Sequence, residues 1–199
     1  MLEKLISCFR VFLAHVDPCA IRVSVAFVGM LAGLAGAIVH AEDWPEIRGR
    51  GRLGVWNETG IVEQFPAGGL KVLWRTPIKA GFAGPAVVDG RVYVMDFAET
   101  QRPRGVERAL ALDEKTGRIL WTREWSVDYR GMSYGLGPRA TPTVDGDRVY
   151  FAGADGKLFC LDAKTGAILW KKDYVPDYGA DRSKWAFDWG FASSPLTTK

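Results

Sequence analysis

From Pro85 onward, apolar residues come in short runs interrupted by polar turn pairs. Pro85-Ala-Val-Val-Asp-Gly-Arg-Val-Tyr-Val94 sets Asp89-Gly90 between two such runs. Pro142-Thr-Val-Asp-Gly-Asp-Arg-Val-Tyr-Phe151 repeats the arrangement around Asp145-Gly146. Each predicts a strand, a tight turn and a second strand, since an Asp-Gly pair between apolar runs is a strong hairpin signal. Leu110-Ala-Leu112 and Phe159-Cys-Leu161 read as further strands, each ending in an Asp. Asp113 and Asp162 can accept hydrogen bonds from backbone N–H groups just downstream. Gly117 and Gly166 supply the positive φ of a short bulged loop, and Ile-Leu-Trp starts the return strand in both places. No amphipathic helix is evident beyond the N-terminal segment.

The pattern is a repeat. Ala111-Leu-Asp-Glu-Lys-Thr-Gly-Arg-Ile-Leu-Trp121 recurs as Cys160-Leu-Asp-Ala-Lys-Thr-Gly-Ala-Ile-Leu-Trp170, with changes only at the first, fourth and eighth positions. The order Pro, Asp-Gly, Val-Tyr, Leu-Asp, Thr-Gly, Trp gives four short strands per unit. Pro85, Pro142 and Pro195 stand 57 and 53 residues apart. A period near 50 with four strands points to an all-β propeller rather than a helical solenoid. The expected division is a leader over 1–41, an N-terminal segment over 42–83, blades over 84–136 and 137–191, and the start of a third unit over 192–199. Residues 192–199 break off where both earlier units run on, so the chain is expected to be incomplete: an open arc with an unpaired edge. The stretch Met95 to Arg108 is longer than its counterpart Ala152 to Lys157 and is expected to form an exposed, mobile loop.

Ala111, Asp113, Thr116, Gly117 and Trp121 match the tryptophan-docking motif of the quinoprotein, or PQQ-like, β-propellers at every position. Asp162, Thr165, Gly166 and Trp170 match as well, while Cys160 replaces the small Ala, a mild departure because free Cys is a small buried hydrophobe. The opening Trp44-Pro-Glu-Ile-Arg-Gly, followed by Leu70-Lys-Val-Leu-Trp74, resembles the start of a bacterial subgroup with these repeats. The resemblance covers roughly residues 44–199. It implies four-stranded blades stapled by Trp121 and Trp170, with Leu70 to Pro77 as a closing strand added to the last blade. A segment merely wrapped on the outside would make Trp44 a lesser anchor than Trp121. Trp125, Trp185 and Trp189 lie outside the motif. Trp185-Ala-Phe-Asp-Trp189-Gly-Phe191 reads as a hydrophobic cap over a blade, with a binding surface as the sharper alternative.

Residues 1–41 read as a secretory signal. Lys4, Arg10 and Arg22 precede an uncharged stretch, Val23 to Val39, and Val39-His-Ala41 is a small-residue cleavage pattern. The alternative is a retained anchor, since Ile21 to Val39 is almost long enough to span a bilayer. Cys8 and Cys19 follow no lipobox-like run, and no twin-Arg pair is present. Cleavage after Ala41 removes Cys8, Cys19, His15 and His40. The remainder then has one Cys, Cys160, and no His, which excludes within it an internal disulfide, a Ser-His-Asp triad, a histidine metal site and Cys-x-x-Cys-His haem attachment. The formal charge of +3 becomes +2 on cleavage, with no basic stripe to suggest nucleic acid. Arg48, Arg50 and Arg52 read as a solvated loop, and Asn57-Glu-Thr59 is formally a glycosylation sequon.

Three functions compete: a scaffold that presents a surface to envelope or outer-membrane proteins, a dehydrogenase binding PQQ and calcium, and a ligand-binding sensor. A quinone tricarboxylate beside a divalent cation needs donors for its carboxylates, hard oxygen ligands and a carboxylate base. The resemblance adds an adjacent Cys pair, which this sequence lacks. Asn57 is the only Asn, and Asp89, Asp113, Asp145 and Asp162 already have turn roles. The reading is therefore an exported propeller without catalytic, cofactor or metal residues in this chain. A PQQ- and calcium-dependent alcohol or sugar dehydrogenase is the alternative. Membrane contact is expected only through an uncleaved leader.

Overall fold

The computed structural model describes residues 42–181 and 188–198. The leader, its cleavage site and Trp185 lie outside the described residues. Two antiparallel four-stranded meanders account for nearly all regular structure. The first comprises β1 (Ala86–Val88), β2 (Arg91–Gln101), β3 (Arg104–Asp113) and β4 (Ile119–Asp128). The second comprises β5 (Thr143–Asp145), β6 (Arg148–Ala152), β7 (Lys157–Asp162) and β8 (Ile168–Asp173). Strand order follows chain order in both sheets, and the two do not close into a ring. These are propeller-type blades.

Alternation along the strands decides which face packs where. On one face of the first sheet lie Tyr93, Met95, Ala109, Ala111 and Trp121. They form one core with Val149, Phe151, Phe159 and Leu161 of the second sheet. Small Ala109 and Ala111 leave room that bulky side chains of the neighbouring blade fill, which keeps the interior close-packed. The opposite face of the first sheet carries Val94, Leu110 and Leu112, with Trp74 packed against them. The first sheet thus buries both faces of its middle strands, and this is why those strands read as apolar runs rather than a clean alternation.

The register slips by one between Ala111 and Leu112, where Trp121 faces Ala111 but Ile119 faces Leu112. The second sheet slips at the matching place, between Cys160 and Leu161. The extra residues, Leu120 and Leu169, are bulges that sharpen the local twist and re-aim the tryptophan that follows.

Four features depart from, or add to, the sequence reading. Residues 95–108 are not a loop. Strands β2 and β3 run on in unbroken pairing from Met95 opposite Ala109 to Glu99 opposite Gly105, with the turn beyond Gln101. Met95, Asp96, Phe97 and Glu107 are buried there. The N-terminal segment does not merely wrap the outside either. Trp44 pairs with Val87 through two backbone bonds of 2.7 and 2.9 Å, and Pro45 O accepts from Val144 N at 2.8 Å. It therefore crosses the first strands of both sheets. Arg50–Arg52 form a 3-10 turn, and Arg52 is no solvated loop residue: it donates to Glu46 Oε2 at 2.8 Å and to the carbonyls of Ser194 and Pro195. Finally, a single-turn helix α1 (Tyr174–Tyr178) follows β8, capped by Asp173, whose carboxylate accepts from Val175 N. Five residues show no periodicity, and Pro176 is tolerated because first-turn N–H groups have no intrahelical partner.

Native-state hydrogen exchange checks the long hairpin. The amides of Phe97 and Ala109 should exchange slowly, in the class of the strand cores. Exchange as fast as that of an exposed loop would contradict the pairing.

Candidate functional site

The repeated motif builds the seam between the blades. In the first sheet Asp113 Oδ1 accepts from Thr116 N at 2.8 Å and from Thr116 Oγ1 at 2.6 Å. Gly117 N donates to Asp113 O at 2.8 Å, and Gly117 has φ 70°. The second sheet repeats this: Asp162 Oδ1 accepts from Thr165 N and Thr165 Oγ1, both at 2.7 Å, and Gly166 has φ 69°. The same polar residues thus make the same closed loop twice. Hydrogen bonds from Thr116 and Thr165 hold the two carboxyls below the usual carboxylate range.

Trp121 rests on the second of these loops. Its Nε1–H donates to Ala163 O at 3.1 Å, and Tyr93 Oη donates to the same carbonyl at 3.1 Å. The ring lies so close over Gly166 that a Cβ there would stand 2.6 Å from Trp121 Cδ2. Arg123 adds bonds from Nε to Gly166 O and from Nη2 to Thr165 O, at 2.7 and 3.1 Å. On the first loop, Trp74 makes the same contact. Its Nε1–H donates to Glu114 O at 2.7 Å, its ring covers Gly117, and Thr76 Oγ1 donates to Gly117 O at 2.6 Å. Residues 70–79 enter no ladder among the described residues.

Trp170 has no such loop among the described residues. It is 40% exposed where Trp121 is 8%, and it leans on Tyr150 at 5.9 Å. Cys160 and Ala111 sit at equivalent places, opposite Trp170 and Trp121, and both are fully buried. Burial pushes the Cys160 thiol up, so it packs as a hydrophobe. Trp189 stacks on Tyr134 at 4.0 Å with both rings half exposed, while Phe191 meets Tyr174 edge-on.

Below the loops the seam contains polar groups that the sequence did not single out. Trp125 stacks on Phe159 at 4.1 Å across the blades. Together with Lys157, Lys171, Lys172 and Asp173 they line a groove of about 560 Å³. Trp125 Nε1–H donates to Glu107 Oε2 at 2.8 Å, Tyr129 Oη donates to Glu107 Oε1, and so does Ala154 N from the second blade, at 3.0 Å. No sequence signal marked Glu107, because a carboxylate in a strand usually faces water. Among the described residues no three His, Cys, Asp or Glu side chains converge to hold a metal ion. No helix among them is long and apolar enough to cross a membrane.

A family model described as outer membrane protein assembly factor BamB matches residues 50–181. Among solved structures, the quinohemoprotein alcohol dehydrogenase from Comamonas testosteroni is similar at 23% identity, over 82% of this chain and 22% of its own, with a TM-score of 0.48. A europium-containing methanol dehydrogenase is similar at 23% identity, over 61% of this chain and 19% of its own, with a TM-score of 0.44. BamB from Moraxella catarrhalis is similar at 17% identity, over 51% and 37%, with a TM-score of 0.27. The chain spans about a fifth of the length of the two dehydrogenases. No curated protein matches it.

Two outcomes test the seam. Trp121→Ala should lower stability by about 3–5 kcal/mol, as for a buried aromatic, whereas Trp170→Ala should cost roughly half as much because less area leaves water. Chemical denaturation of each variant reads the difference. The turn carboxyls have lowered folded-state pKa values, so their contribution is present above the ordinary carboxylate range and fades as pH falls through the lowered value. The double variant Asp113→Asn with Asp162→Asn should therefore lose less of its melting temperature on acidification than the wild type.

Proposed function

Because the chain belongs to the PQQ-like repeat family described as outer membrane protein assembly factor BamB, we propose that it is an exported propeller that acts as a non-catalytic scaffold for envelope proteins. The observation that carries this reading is how the motif's polar groups are used. Asp113 and Asp162 are engaged by Thr116 and Thr165, and the Trp74 and Trp121 indoles by backbone carbonyls of the loops they cover. The repeated chemistry builds a rigid surface, and rigid surfaces made from stacked repeats suit protein recognition.

In this reading Ala111, Asp113, Thr116, Gly117 and Trp121, with Cys160, Asp162, Thr165, Gly166 and Trp170, are staples between blades. Residues 70–77 are a closing strand, with Trp74 as its staple; the likeness of the Trp74–Gly117 and Trp121–Gly166 contacts supports this. The basic, then apolar, then small-residue order of residues 1–41 is a signal cleaved after Ala41. PQQ and calcium have no role in the scaffold.

Reconstitution of the full-length protein with PQQ and calcium, assayed by dye reduction with alcohols and sugars, should give no turnover. Affinity purification from the native envelope should return an outer-membrane or periplasmic protein in stoichiometric amount. Clear turnover would replace the scaffold with the dehydrogenase. The mass of the exported product should begin at Glu42.

A further inference from the structure

Two buried carboxylates on this chain are treated in opposite ways. Asp96, fully buried on β2, faces Arg108 on β3 and receives a two-pronged pair from it, at 2.7 and 2.6 Å. Glu107 is the next residue along and points to the other face of the sheet, into the seam. It is also fully buried, yet none of the ion pairs among the described residues includes it. Its donors are neutral: the Trp125 indole, the Tyr129 hydroxyl and the Ala154 amide.

Across the seam stands Asp155, in the turn between β6 and β7 and only 5% exposed. Lys157 Nζ takes its Oδ2. Its Oδ1 is buried and has no partner. Gly153 lies between the two acids. The place of a Cβ on Gly153 is closest to Glu107 Oε2, and Asp155 Oδ1 is 3.3 Å from it. The glycine therefore leaves a gap bordered by one oxygen of each acid. Glu107 Oε1 already accepts two bonds and Oε2 only one, so Oε2 has the free position for a proton.

We propose that Glu107 carries a proton where it faces the Asp155 carboxylate across the seam, and that losing it loosens the contact between the two blades beside the Trp125–Phe159 groove. In the protonated state Glu107 is neutral beside the Asp155 carboxylate, and its Oε2 still accepts from the Trp125 indole. Release of the proton to solvent leaves a charge on buried Glu107 with no cation of its own, beside an Asp155 carboxylate that already holds Lys157. The charged groups facing the pair do not cancel this. Lys157 is held by Asp155. Arg139, on the segment joining the sheets, is bonded to the carbonyls of Gly135 and Gly137 and lies over Phe82 at 5.3 Å. Tyr129 is a neutral donor whose own ionisation burial opposes. Burial, and then the charge of Asp155, hold Glu107 above the usual carboxylate range against its neutral donors.

The sign follows from linkage. An acid with a raised folded-state pKa contributes fully below its unfolded value, and that contribution falls as pH rises through the folded value. The wild-type melting temperature should therefore decline as pH climbs above the ordinary carboxylate range. Glu107→Gln cannot ionise and keeps an oxygen for Tyr129 and Ala154, but its amide nitrogen takes the place of the oxygen that accepts from Trp125. The variant should flatten that decline, whatever the lost Trp125 bond takes from the melting temperature at every pH. Asp155→Asn should move the wild-type decline to lower pH. Protection of the Ala154 amide, corrected for its intrinsic rate, should fall with pH in the wild type but not in E107Q. Infrared spectra of full-length protein carrying isotope-labelled glutamate should show a protonated carboxyl at neutral pH that disappears in E107Q. An E107Q profile as steep as the wild type's would overturn the proposal, and so would an ionised Glu107 at neutral pH. If E107Q does not fold, the infrared titration of the wild type decides alone.

Discussion

An indole lying flat on a glycine turn is the contact on which this architecture depends. A β-sheet whose middle strands are apolar on both faces has to bury both, and a neighbouring sheet is the cover available in a repeat array. Face-to-face packing alone is non-directional and would let one blade slide over another. The Trp121 N–H bond to Ala163 O fixes the slide, and the ring's closeness to Gly166 fixes the spacing. Gly is required there twice over: its φ is positive, and any side chain would occupy the space of the ring. The Asp–Thr hydrogen bonds are part of the same constraint, since they hold the loop that presents both the carbonyl and the bare glycine. The bulge at Leu120 completes it by turning Trp121 toward the neighbour.

This constraint explains what could be read from the sequence. Asp113, Thr116, Gly117 and Trp121 sit at fixed spacing because one local loop and one contact need all of them, so they recur as a string at 162–170. Hairpins marked by Asp-Gly are legible for the same reason: their geometry is decided within a few residues. The long hairpin was not legible. Its pairing from Met95 to Glu99 is set by strands meeting over a distance, while Arg102, Pro103 and Gly105 read locally as turn residues. Nor was the crossing of Trp44 and Pro45 over β1 and β5, which depends on edge N–H and C=O groups that every sequence has. Glu107 belongs to the same class, since its partners come from residues 125, 129 and 154.

The acids of the chain illustrate how position sets chemistry. Asp113 and Asp162 are at the surface, ionised readily by local hydroxyl and amide donors, and they build loops. Asp96 is buried but has a guanidinium in the right cross-strand place, so its charge is compensated within its own blade. Glu107 is buried with only neutral donors from its own blade, and its remaining oxygen position looks across the seam. An uncompensated buried carboxylate is costly, and such groups persist where the surroundings hold them neutral or where a function uses the strain.

The two kinds of seam contact differ in what they allow. The tryptophan contact itself is apolar and backbone-directed, and the Asp162 loop beneath it stays ionised above the usual carboxylate range. The acid pair below it depends on a single proton. The groove of Trp125 and Phe159 lies at the titratable end. Under the proposed protonation of Glu107, any partner that used that groove would meet a seam whose cohesion depends on acidity, while the blade order itself stays fixed by the glycine turns.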